Sequence, residues 1–179
     1  VELSSIKMDL SRRDFSINAL AIRLNRNYFG DLVDPFSAMN DIREKNIRVL
    51  HSLRFVEDPT RILRAIRFEK RFNFKAGPQT EKLIKNCIQL GLFEKRAGER
   101  IFNDLKHIVD ENAPLRCLQL MDGFGLLRQI HPWLGLTAVK ESMLAEAEDV
   151  LSWYNLLFLK QQPSTWIVYL LCLCPNAKY

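Results

Sequence analysis

Apolar residues along the chain change their spacing partway through. Ala19-Leu20-Ala21-Ile22-Arg23-Leu24 and Tyr28-Phe29-Gly30-Asp31-Leu32-Val33-Asp34 are two short β-type runs around Asn25-Arg26-Asn27, a turn-forming trio, and they predict a hairpin. Asp34-Pro35 ends the second run, residues 38–45 read as a short helix, and 49–55 as a partly extended connector. From Glu57 onward Ile62, Leu63, Ile66 and Phe72 recur at helical spacing, and the same periodicity fills most of the remaining chain. The spacing predicts helices over 57–72, 78–89, 97–109, 113–122, 139–159 and 164–173. Gly77-Pro78, Gly91, Asn112, Gly123, Gly125, Pro132 and Pro163 separate them. The fold class is therefore mainly α with a small β portion. A two-stranded hairpin is marginal alone, so its strands are expected to belong to a larger sheet.

With 179 residues, 47% of them hydrophobic, the chain can build a real core. The aromatic tail (Trp153, Tyr154, Trp166, Tyr169) reads as helical core rather than a cofactor box. No apolar run is long enough to cross a membrane, and Val1-Glu2-Leu3-Ser4-Ser5 lacks the plan of a signal peptide, so a cytoplasmic location is expected. Cys87, Cys117, Cys172 and Cys174 lie scattered in apolar helical contexts, which fits buried thiols better than a zinc site or redox chemistry. The net charge of +5 is unevenly placed: residues 1–75 hold 15 Lys+Arg against 10 Asp+Glu, which accounts for all of it. A basic excess rich in arginine suits phosphate, on a nucleotide or on RNA, and equally suits a solvated surface.

Two clusters within that basic segment carry chemistry. Ser11-Arg12-Arg13-Asp14 sets two guanidinium groups beside a carboxylate just ahead of the first strand. Arginine forks grip phosphate oxygens at two points, and a nearby carboxylate can accept from ribose hydroxyls; a solvated ion cluster is the plainer reading. The second cluster is Glu57-Asp58-Pro59-Thr60-Arg61, continuing through Arg64, Arg67 and Arg71. Pro59 suits a first helical turn, with Glu57 or Asp58 as the cap. Helical spacing puts Asp58 beside Arg61 and gathers the four arginines into one arc, which a helix-borne ion pair with a solvated face would also explain. An acceptor beside a donor matches the Watson–Crick edges of cytosine and adenine, each an amino donor next to a ring-nitrogen acceptor, and mismatches uracil and guanine. A wrong base would leave charged groups unpaired, at a cost on the order of a few kcal/mol.

Taken together, Arg12-Arg13-Asp14-Phe15-Ser16-Ile17-Asn18-Ala19, Gly30-Asp31-Leu32-Val33-Asp34-Pro35-Phe36, and Glu57-Asp58-Pro59-Thr60-Arg61-Ile62-Leu63-Arg64-Ala65-Ile66-Arg67-Phe68 closely resemble consecutive motifs of the class II tRNA nucleotidyltransferases and bacterial poly(A) polymerases. Gly98-Glu99-Arg100-Ile101 with Leu105 and the stretch 123–134 extend the likeness over residues 1–135. The resemblance implies the C-terminal strands of a nucleotidyltransferase head (1–55), a helical nucleotide-reading neck (56–135) and the start of a helical body (136–179). It implies that Arg13 and Asp14 contact triphosphate and ribose, that Asp58 and Arg61 read the base, and that Arg64 and Arg67 hold phosphate or the reading helix. It also implies ATP, and CTP where cytosine is added, as substrates, tRNA or another RNA 3′ end as partner, and Mg²⁺ in the complete enzyme. The departures are Ser37-Ala38 in place of a glycine-containing turn, Asn103-Asp104 where a glutamate is usual, and above all the absence of the family's Gly-Gly and Asp-x-Asp metal-binding patterns. No catalytic or metal-ligating residue is therefore expected in this chain, which reads as a fragment that binds nucleotide without transferring it. For the complete protein the resemblance implies addition of CMP and AMP, or AMP only, to tRNA 3′ ends; a bacterial poly(A) polymerase and a non-catalytic RNA-binding module that keeps the neck are the alternatives.

Overall fold

Ser5 accepts the backbone N–H of Met8 at 3.3 Å and starts α1 (Ile6–Ser11), a short helix that the apolar spacing did not announce. In the computed structural model, which describes residues 5–93, 98–160 and 163–174, the chain divides between Cys87 and Ile88 into two compact units. In the first, a 3₁₀ turn (Ser16–Asn18) leads to β1 (Ala21–Ile22), which pairs antiparallel with β2 (Leu32–Val33), Ala21 opposite Val33. The expected hairpin is present, with much shorter strands. Arg23 and Gly30 continue the pairing beyond it (Gly30 N–H to Arg23 O, 2.9 Å), and Gly30 turns the chain at φ 90°, a backbone region that favours glycine. Among the described residues no third strand joins this hairpin, and Ile22, Leu24, Phe29 and Leu32 are exposed.

Asp34 engages the start of α2 (Ala38–Arg43) with both carboxylate oxygens, accepting from Ala38 N at 2.7 Å and Met39 N at 3.0 Å. This helix stops before Lys45, which takes a left-handed conformation at φ 54°. Then β3 (Asn46–Ile47) pairs in parallel with β4 (Lys75–Ala76), a contact that two-residue runs cannot signal in sequence. The expected helix over 57–72 begins only at Arg61, as α4 (Arg61–Phe72), and a separate helix α3 (Arg54–Glu57) starts within the stretch 49–55 expected as a partly extended connector. Proline disfavours helical geometry in the residue before it, and Asp58 accordingly sits extended at φ −147°, ψ 93°. Its carboxylate accepts from Thr60 N at 3.3 Å and Thr60 Oγ1 at 2.8 Å and so steadies the turn ahead of α4, whose N-cap position is Thr60 rather than the expected Glu57 or Asp58.

Ile62, Leu63, Ala65, Ile66 and Phe68 of α4 are buried, and Phe15 closes the core with its ring edge-on to Phe68 at 5.8 Å and 6.4 Å from Phe55. Phe15 is fully buried, and pairs backbone to backbone with Val49. The next helix, α5 (Pro78–Gln89), lies where its breakers predict.

The second unit holds α6 (Gly98–Val109), α7 (Pro114–Gly123), α8 (Leu126–Ile130), a 3₁₀ turn (Pro132–Leu134), α9 (Ala138–Leu156) and α10 (Thr165–Leu173). Its core includes Ile108, Leu118, Met121, Leu126, Leu127 and Leu144. α8 is the unforeseen element: five residues between Gly125, at φ 75°, and Pro132 are too few to display a period. α9 ends three residues short of its expected end, and residue 97, the expected start of α6, lies outside the described residues. Of the tail aromatics Tyr169 is core, whereas Trp153 is 59% exposed, contrary to expectation, because it stands on the outward side of α9. Cys87, Cys117 and Cys172 are buried thiols, and Cys174 is partly exposed. No described helix is long and apolar enough to cross a membrane.

Candidate functional site

The fold brings together two motifs far apart in sequence. Asp14 follows α1 and precedes fully buried Phe15; its carbonyl accepts from Leu50 N at 3.2 Å, and Ser16 N donates to Arg48 O at 2.9 Å. Upstream, the Ser11 carbonyl accepts from Arg54 Nη2 at 2.9 Å and lies 3.1 Å from His51 Nε2. The Asp14 carboxylate is thereby held against α4, where Oδ1 meets Arg61 Nη1 at 2.5 Å and Oδ2 meets Arg64 Nη2 at 2.9 Å. Arg61 Nε is 3.9 Å from Asp58 Oδ2. The side chains of Asp14, Asp58 and Arg61 are only 10%, 17% and 19% exposed, and that of Arg64 is 42% exposed. Two acids and two bases balance in charge, as ions withdrawn this far from water require.

The expected pairing of Asp58 with Arg61 is thus present but loose, and the closer ion-pair partner of Arg61 is Asp14, although Nη1 is not aligned for a hydrogen bond to it. Spacing along one helix shows only the neighbour one turn away; it says nothing of a carboxylate delivered by another segment. Arg13 stands apart, half exposed, with Nη2 3.7 Å from Asp9 on α1. The guanidinium groups of Arg67 and Arg71 lie over the rings of Phe68 and Phe72 at 5.4 and 5.7 Å. Of the expected arc of four arginines, Arg61 and Arg64 share the Asp14 carboxylate.

A second ion cluster supports the first. Asp41, 5% exposed, accepts from Asn46 Nδ2 and Arg48 Nε, both at 2.9 Å, and pairs with Arg48 Nη2 at 2.7 Å. Burial pushes the Asp41 carboxyl up, but hydrogen bonds led by Arg48 outweigh it and hold the carboxyl below its ordinary value of 3.8. Because the Arg48 carbonyl receives Ser16 N, this pair also fixes the strand behind Asp14. The sequence contained both residues, yet nothing in it pointed to a tether. A cavity of about 330 Å³ in the second unit, lined mainly by apolar groups including Phe93, Phe102, Leu127 and Trp166, contains none of the site residues anticipated from sequence.

Among the described residues no group of three His, Cys, Asp or Glu side chains could hold a metal. Asp34 is engaged in capping α2 and Asp31 is exposed, so neither substitutes for the family's metal-binding acids.

Residues 1–48 match the model of the poly A polymerase head domain, and residues 73–135 match the probable RNA and SrmB-binding site of polymerase A. The chain belongs to the family of class II tRNA nucleotidyltransferases and bacterial poly(A) polymerases. It is 50% identical over 173 residues to the A-adding tRNA nucleotidyltransferase of Geobacter sulfurreducens, covering 97% of this chain and 20% of that protein. It is 39% identical over its whole length to the enzyme of the same name from Aquifex aeolicus, of which it covers 22%. A solved tRNA nucleotidyltransferase, complexed with a primer tRNA and an incoming ATP analog, superposes with a TM-score of 0.90 at 39% identity over 100% of this chain and 52% of that one. The chain thus spans about a fifth of the length of these two curated relatives.

Proposed function

We propose that the full-length protein containing this segment is a template-independent RNA nucleotidyltransferase acting at tRNA 3′ ends, and that this segment selects and holds the incoming nucleotide. The observation that carries the proposal is the enclosed group of Asp58, Arg61 and Asp14 at the head of α4, an acceptor and a planar donor side by side. That face complements adenine and cytosine, whose edges pair an amino donor with a ring-nitrogen acceptor. In this reading Arg13, exposed just after α1, contacts triphosphate oxygens and Asp14 the ribose, while Arg64 and Arg67 serve phosphate or brace the reading helix. ATP, and CTP where cytosine is added, are the substrates; tRNA is the partner and the cytoplasm the location. Among the described residues no group of acids fits the magnesium ions the family resemblance implies, and the role proposed for this segment is binding and choosing the nucleotide. Residues 1–55, 56–135 and 136–179 serve as head, neck and start of body.

The finer reading is addition of AMP alone. Three relatives named A-adding are 50%, 39% and 42% identical over 97%, 100% and 75% of this chain, whereas a relative named multifunctional CCA protein, from Nitrosomonas europaea, is 37% identical over 72% of it. The test is to give the full-length protein tRNAs ending before the first C, after the first C and after both, with all four nucleotides, and to sequence the products. AMP added only after both cytosines is the expected result. Cytosine addition overturns the AMP-only reading, and no addition to any of the three leaves an RNA-binding module. Asp58→Ala or Arg61→Ala is expected to reduce preference for A over G and U by about ten- to a hundredfold, and unchanged preference overturns the base-reading assignment.

A further inference from the structure

We infer that Asp14 is a positioning residue for base selection, acting through Arg61; the inference rests on the proposed base-reading role of Asp58 and Arg61. The guanidinium of Arg61 lies between two carboxylates that compete for it. Asp58 lies three residues back, yet the gap to it is 3.9 Å, while Asp14 Oδ1 approaches Nη1 at 2.5 Å as an ion pair without hydrogen-bond alignment. Close ion pairing between Asp58 and Arg61 would direct the acceptor and the donor at each other, and a base edge would then meet groups already joined. Asp14 draws the guanidinium the other way and keeps the two side by side.

Asp14 is suited to this because its own position is fixed. Its carbonyl accepts from Leu50, the next residue is the fully buried Phe15, and its second oxygen is held by Arg64 at 2.9 Å. Arg61 and Arg64, three apart on α4, present the same face of that helix, so one carboxylate sets the rotation of the face that carries the reading arginine. A ribose contact alone would not require Asp14 to reach both arginines. The two roles also leave different signatures, one in the choice of base and the other in the choice of sugar.

The test is a double-mutant cycle in the full-length enzyme, measuring kcat/KM for ATP, GTP, UTP and dATP with Asp14→Asn, Arg61→Ala and the double variant. If Asp14 acts through Arg61, Asp14→Asn lowers the A-over-G and A-over-U ratios about tenfold, an effect of about 1.4 kcal/mol. The double variant then shows the same ratios as Arg61→Ala alone. If Asp14→Asn shifts only the ATP-over-dATP ratio while Arg61→Ala abolishes base preference, the positioning role is overturned and base reading by Arg61 stands. If Arg61→Ala itself keeps the base preference, both fall. Should Asp14→Asn fail to fold, Asp14→Glu, which moves the carboxylate by one methylene, is scored by the same ratios; unchanged base preference in that variant overturns the inference.

Discussion

Replacing Asp41 by Asn removes a charge at nearly constant shape and tests the tether that fixes the strand behind the candidate site. Asp41 accepts from Asn46 and Arg48 at 2.9 Å, with a second Arg48 nitrogen at 2.7 Å. Hydrogen bonds to a charged group contribute roughly 1.5–3 kcal/mol each. The Arg48 side chain is 38% exposed, so water screens part of that, and the amide of Asn keeps one acceptor; the net loss is about 2 kcal/mol at neutral pH. The folded carboxyl lies below its ordinary value of 3.8, so its contribution is complete above the unfolded value and is lost as pH falls through the lower folded one. Amide hydrogen exchange reads this locally, at Ser16 N bonded to Arg48 O, Leu50 N bonded to Asp14 O and Val49 N bonded to Thr80 Oγ1. Asp41→Asn is expected to speed exchange at these amides about 30-fold at pH 7, corresponding to the 2 kcal/mol, and by progressively less as acidity protonates the wild-type carboxyl. The same acceleration in strong acid as at pH 7, or none at pH 7, would refute the charge-based account.

Two further outcomes rest on single contacts. Thr60→Val deletes the hydroxyl that donates to Asp58 at 2.8 Å while keeping side-chain volume; base preference should fall a few-fold, and stability by about 1 kcal/mol, measured by incorporation ratios and urea unfolding. Burial pushes the Cys87 thiol up to about 11, and Cys87 donates to Phe55 O at 3.3 Å, so iodoacetamide at pH 8 should label partly exposed Cys174 and spare Cys87. Equal labelling of the two in the native protein would contradict the packing described for the first unit.

Features that depend on neighbours along the chain were legible in the residues alone. Asn25-Arg26-Asn27 marked the hairpin turn, and Gly77-Pro78 and Pro163 bounded helices. The Arg13-Asp14 and Asp58–Arg61 clusters could be read for the same reason, since each lies within a few residues and carries its chemistry in the residue types. The four-residue α3, the five-residue α8 and the pairing of β3 with β4 could not, because runs of two to five residues hold no period to read. The carboxylate that holds Arg61 was likewise beyond the reach of spacing, and contacts between distant segments settled it. Local spacing offered Asp58, but burial of Phe15 against Phe55 and Phe68 draws the segment after α1 onto α4 and delivers Asp14 at 2.5 Å. Core packing of this kind, which no helical period encodes, set the geometry on which base selection is proposed to depend.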